Sequence, residues 1–122
     1  LPLRSEHSGL KASVGLYEFE DGSCPAAEFL GALSSKDRQR VDSLFALIGE
    51  RGSISNKEHF KKLEGTEGIF EFKRFQVRLL CFFAKGSPAR LVITHGVIKK
   101  SDKHAKADIE RALAIRKRFL GE

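Results

Sequence analysis

Between residues 69 and 98 the chain carries three apolar runs rich in β-branched and aromatic residues, IFEFKRF, VRLLCFFA and RLVITHGVI. One residue separates the first two, and a five-residue link containing Gly86, Ser87 and Pro88 separates the last two. Links this short do not admit the crossover that parallel neighbours need, so residues 69–75, 77–84 and 90–98 are read as an antiparallel meander. Any fold for this chain must be built around that sheet.

The flanks have a different period. Residues 105–120 place Ile109, Ala112, Leu113, Ile115, Phe119 and Leu120 within one arc at helical spacing, with Arg116 inside the same arc. An arginine in an apolar stripe snorkels, pairs with a carboxylate or points at a site. Upstream, KASVGLYEFE (residues 11–20) suits a first strand closed by Asp21 and Gly22. Residues 25–33 fit a short helix with an early proline, capped by Ser23. Residues 37–50 set Val41, Leu44, Phe45 and Ile48 at helical spacing before the stop at Gly52. Together these two helices read as an αα-hairpin. The polar stretch 53–64 reads as one more helical turn. The expected class is α+β: an N-terminal strand and αα-hairpin, then a three-strand antiparallel meander and a C-terminal helix.

At 122 residues the chain suits one compact domain, with residues 1–12 expected as a flexible tail outside the fold. The longest apolar run, residues 79–84, is six residues long, far short of a membrane span, and no signal-type segment is present. A cytoplasmic location is therefore expected. Cys24 and Cys81 lie far apart and outside any metal-ligand spacing, so they read as small apolar residues rather than a disulfide.

Charge is concentrated. The net charge is +6, and residues 57–104 alone hold eleven Lys and Arg against five Asp and Glu, which accounts for the whole excess. Its densest part is HGVIKKSDKHAK, residues 95–106, where a strand hands over to a helix. Composition leaves two readings open, a solvated basic surface or a polyanion-binding face. Metal and cofactor chemistry find no support. The basic segment has no Asp/Glu cluster for two metal ions, the four histidines (His7, His59, His95, His104) have no zinc spacing, and no glycine-rich phosphate loop occurs. No cofactor is expected.

An ordered set of short motifs narrows the choice. Lys62-Leu63-Glu64-Gly65 precedes Gly68-Ile69-Phe70-Glu71-Phe72-Lys73; Val77-Arg78-Leu79 opens the next strand; Thr94-His95-Gly96-Val97-Ile98-Lys99-Lys100-Ser101-Asp102-Lys103-His104-Ala105 closes the third. Asp108-Ile109, Ala112 and Arg116 follow. In this order and spacing, residues 61–119 resemble the RelE/HigB superfamily of bacterial type II toxins, most closely its phage-derived branch with a RelE/ParE-like fold. The resemblance implies an mRNA interferase, an endoribonuclease that cuts mRNA on the ribosome by metal-independent attack of the 2′-hydroxyl. It also implies a cognate antitoxin, a helix-turn-helix protein with an acidic toxin-binding surface. ParE-like relatives share the fold but inhibit gyrase without nuclease chemistry, and a non-catalytic RNA-binding relative is a further alternative.

Under that resemblance the candidate catalytic residues are Arg78, Lys100, His104 and His95. Arg78 corresponds to the family's phosphate-stabilising arginine, and a guanidinium fork suits phosphate oxygens whose charge grows during cleavage. Its competing role is an ion pair with Glu71 on the adjoining strand. Arg78→Ala is expected to fold normally and lose toxicity. Lys100 and Lys99 would clamp phosphate at the strand end. His104 stands where the family has threonine and could move a proton near neutral pH. His95 matches a histidine of the phage-derived branch, although a strand histidine usually serves packing. The candidate RNA-binding set is Lys61, Lys62, Lys73, Arg74, Lys99, Lys103 and Arg116. Many members carry a C-terminal tyrosine, where this chain has Phe119.

Overall fold

The structure is a computed structural model, which describes residues 2–99 and 103–122. It is α+β. Strands β1 (Leu3–Ser8) and β2 (Ala12–Tyr17) precede helices α1 (Pro25–Ala32) and α2 (Ser35–Arg51). Strands β3 (Phe60–Lys62), β4 (Phe70–Arg74), β5 (Val77–Ala84) and β6 (Ala89–Ile98) follow, then helix α3 (Lys106–Leu120). The strands form one six-stranded sheet in the order β1-β2-β6-β5-β4-β3.

β4, β5 and β6 pair antiparallel in succession, as their short links dictate. The sheet is nevertheless mixed, because β2 lies parallel to β6 with Leu16 opposite Ile93. That pairing joins segments some 75 residues apart and leaves no local mark. β5 explains its own composition. Val77, Leu79 and Cys81 join an apolar cluster with Leu30 of α1 and Phe45 and Ile48 of α2. Leu80, Phe82 and Ala84 join a second cluster with Ala112 and Ile115 of α3. A strand covered on both faces reads as a continuous apolar run rather than an alternation. The same division resolves β2, where Val14 and Leu16 belong to the first cluster while Tyr17, followed by Phe19, belongs to the second.

Helix boundaries follow local chemistry. Ser34 caps α2 by accepting from the Asp37 N–H, and Gly52 ends it at φ 79° while donating to the Ile48 carbonyl. α1 departs from expectation. Cys24 is its N-cap and forms no side-chain cap, because Ser23 turns back to bond the Asp21 carboxylate.

One further expectation is corrected and one is extended. The first dozen residues are not a tail, since Leu3–Ser8 pairs antiparallel with β2. Polar LRSEHS lacks a strand signal of its own, and ion pairs of Arg4 with Glu18 and Glu6 with Arg38 fasten it. Residues 53–64 hold the expected single turn, in which the His59 and Phe60 N–H groups donate to the Asn56 carbonyl, but they also supply a short edge strand that was not expected, with Phe60 opposite Phe72 and Lys61 opposite Glu71. Cys24 and Cys81 are buried free thiols within the first apolar cluster. No helix among the described residues is long and apolar enough to cross a membrane.

Candidate active site

The chemistry gathers on the sheet face that α3 covers, beyond the end of its apolar cluster. In the β4–β5 ladder Lys73 stands opposite Arg78 and Glu71 opposite Leu80, so Glu71 and Arg78 are diagonal neighbours on one face. Arg78 Nε lies 3.2 Å from Glu71 Oε1, with side-chain exposures of 5% and 2%. Arg78 Nη1 also donates to the carbonyls of Phe75 and Val77. The other carboxylate oxygen, Glu71 Oε2, is 3.1 Å from Nε2 of His104, whose side chain is 3% exposed. His104 comes from the segment just ahead of α3. Its Nδ1 is buried and has no hydrogen-bond partner among the described residues. One carboxylate thus bridges a guanidinium and an imidazole in a shielded, low-dielectric position.

His95 is placed by an irregularity in β6. Leu80 pairs with His95 but Cys81 with Ile93, which leaves Thr94 as an extra residue. The Thr94 hydroxyl is 3.1 Å from the Leu80 carbonyl and 3.0 Å from His95 Nδ1. His95 Nε2 lies 3.4 Å from Asp108 Oδ1 of α3. Burial pushes the His95 imidazole below its ordinary value of 6.5, and the Arg111 charge pushes the same way against the opposing pull of Asp108. Burial likewise drives the Cys81 thiol well above its ordinary value, with the Glu71 charge adding to it, so that thiol is no nucleophile.

The candidate RNA-binding residues do not form one surface. Lys61 and Lys73 share the face of Glu71 and Arg78 by register. Lys73 lies 3.8 Å from Glu58. Lys62 falls on the opposite face by register, yet Lys61 and Lys62 both line one groove of about 850 Å³ with Phe60, Phe70 and Phe83. Glu71, Arg78, His95 and His104 do not line that groove. Arg74 stacks on Phe75, 5.0 Å from the ring centre, and approaches His59 at 3.4 Å. Lys99 donates to the Lys103 carbonyl at 2.8 Å, and Lys103 is exposed. Arg116 is held by Glu122 and Glu67, at 3.5 and 3.9 Å, so the arginine within the apolar arc pairs with carboxylates. Lys100 lies outside the described residues. Phe119 packs on Tyr17 and Phe82. Among the described residues no group of three acidic, histidine or cysteine side chains is arranged to hold a metal ion.

Of the two roles weighed for Arg78, the structure shows the ion pair with Glu71, buried because β5 is an inner strand and Glu71 meets it from β4. Glu71 itself, together with Thr94 and Asp108, was not among the expected site residues. The available signal was a lone carboxylate between Phe70 and Phe72 in an apolar strand, which must find a cation when the strand is buried.

The family model described as phage-derived protein Gp49-like (DUF891) matches residues 28–117, about three quarters of the chain. The match begins within α1 and spans α2, strands β3 to β6 and most of α3, including Glu71, Arg78, His95 and His104. No curated protein matches the chain. The chain belongs to the phage-derived Gp49-like family, a family of the RelE-like toxin type.

Proposed function

We propose that this protein is a toxin of a type II toxin-antitoxin system and acts as a metal-independent endoribonuclease on ribosome-bound mRNA. The observation that carries the proposal is the Glu71–Arg78–His104 cluster, in which a carboxylate holds both a guanidinium and an imidazole. In the proposed reaction the 2′-hydroxyl gives its proton to solvent water, its oxygen attacks the neighbouring phosphorus, and the bond to the 5′-oxygen breaks. Arg78 stabilises the extra negative charge on the phosphoryl oxygens. Glu71 orients His104 through Nε2, leaving Nδ1 as the atom that protonates the departing 5′-oxygen. Lys61 and Lys73 supply cations on the same face for neighbouring phosphates. Lys99 and Lys103 add positive charge at the β6–α3 connection, to which Lys100 belongs by sequence. A basic surface of this kind suits an antitoxin with an acidic segment.

The cluster is shielded, so the proposal requires local opening before RNA reaches it. Activity on translating ribosomes should therefore exceed activity on free RNA. The test is to incubate the purified protein with free mRNA in EDTA, and separately with free mRNA and with mRNA on translating ribosomes in the same magnesium buffer, and to map the ends. Products ending in a 2′,3′-cyclic or 3′-phosphate, blocked by 2′-O-methyl substitution at the cut position, support the reading. The same burial favours a second reading, in which the charged cluster only holds the sheet together and toxicity works through protein binding. Intact mRNA together with inhibited gyrase supercoiling would establish that ParE-like alternative.

A further inference from the structure

We propose that the turn between β4 and β5 is a stacking site for one base of single-stranded RNA, with Phe75 as the platform and Arg40 and Arg74 as its phosphate-holding cations. The proposal rests on the RNA reading above and adds a binding site to it. Arg74 pairs with Val77, so Phe75 and Gln76 form a two-residue hairpin turn. Such turns favour glycine, asparagine or aspartate where φ is positive. Phe75 sits there at φ 53°, and no other non-glycine residue described has a positive φ. A bulky side chain in that region is strained. Burial does not compensate, because Phe75 is 61% exposed. Glycine would relieve the backbone strain here, and what phenylalanine adds instead is an exposed ring beside two guanidiniums, which points to a role outside folding.

The surroundings indicate what the ring could hold. The Arg40 guanidinium lies 4.4 Å from its centre and that of Arg74 5.0 Å. Ile98, 56% exposed, joins Phe75, Gln76, Val77 and Asp37 around a shallow depression of about 430 Å³. That volume suits a small planar group rather than a docked protein element. An exposed aromatic flanked by arginines is the combination that binds single strands, stacking for the base and positive charge for the backbone. The turn is also tied to the candidate active site, since Arg78 Nη1 donates to the Phe75 carbonyl. A base held at Phe75 would thus register the strand against the cluster that is proposed to cut it.

The chain has no tryptophan, so Phe75→Trp installs a single fluorescent reporter at the site. Titration with a short 2′-O-methyl RNA, which cannot be cut by 2′-hydroxyl attack, should quench its emission saturably. Phe75→Ala should bind the same oligonucleotide about 5- to 150-fold more weakly, the worth of one stacked base. Phe75→Gly relieves the positive φ, so it should melt at a higher temperature than the parent yet bind as weakly as the alanine variant. Emission unchanged at saturation, or parental affinity in Phe75→Gly, overturns the proposal and leaves RNA cleavage standing. Emission quenched by an acidic peptide and not by the oligonucleotide also overturns it, in favour of a protein partner. Quenching by the oligonucleotide with no cleavage of all-ribose mRNA on ribosomes supports the stacking site and removes the nuclease reading instead.

Discussion

Replacing Arg78 by methionine keeps much of its volume and removes its charge, leaving the Glu71 carboxylate, 2% exposed, without its guanidinium. Breaking one side of a buried pair costs about 3–5 kcal/mol, because the remaining charge stays desolvated. At these exposures no discount for solvent screening applies. A 122-residue domain has a total stability of roughly 6–18 kcal/mol, so Arg78→Met should remain folded with its melting temperature lowered by roughly 10–20 °C. Glu71→Gln should lose a comparable amount by stranding Arg78. The double variant removes both charges and should return to within about 1–2 kcal/mol of the parent, giving a coupling energy of about 4–9 kcal/mol. Urea unfolding of all four proteins measures this, provided the m-values agree. Additive losses, or a cost below about 1 kcal/mol for Arg78→Met, would refute the claim that the pair is buried and mutually dependent. This also revises the expectation for Arg78→Ala. A harmless Arg78→Ala protein proves nothing about catalysis until its fold is checked, and the double variant is the needed control.

Three further outcomes are expected. His104→Ala should slow single-turnover cleavage by roughly 100-fold or more, the usual scale of general acid catalysis, with RNA affinity little changed; a rate within a few-fold of the parent would remove His104 from the reaction. His95 is held neutral in the fold, so below about pH 6.5 the unfolded chain binds the extra proton first and stability should fall with acidification, being fully present above that value. His95→Gln should flatten stability between pH 7 and 5, and an unchanged slope in urea titrations would contradict the assignment. At Gly96 an added Cβ would lie 2.2 Å from the Phe29 ring of α1, so Gly96→Ala should cost about 1–3 kcal/mol by calorimetry, and Phe29→Ala in the same chain should recover part of it.

Local chemistry determined much of this molecule. The three apolar runs could only be neighbours in a meander because their links are too short for anything else, and the spacing in residues 37–50 and 105–120 specifies amphipathic helices whatever they pack on. The excess positive charge of residues 57–104 is likewise a property of the chain, and motif spacing was enough to single out Arg78, His95 and His104 as candidates. Tertiary structure decided what those residues can do. The parallel pairing of β2 with β6 and the strands at both sheet edges depend on partners remote in sequence, so LRSEHS and FKK carry no adequate local signal. The Arg78–Glu71 pair was one of the two roles weighed from the sequence, but only register made the two residues diagonal neighbours and only the surrounding fold buried them. The approach of His104 to that carboxylate depends on where α3 docks. Side-chain alternation sent Lys61 and Lys62 to opposite faces of β3, although both still border one groove at this sheet edge. Propensity and periodicity act over a few residues, whereas the desolvation that gives a buried charge its consequences arises only when distant strands and helices close around it.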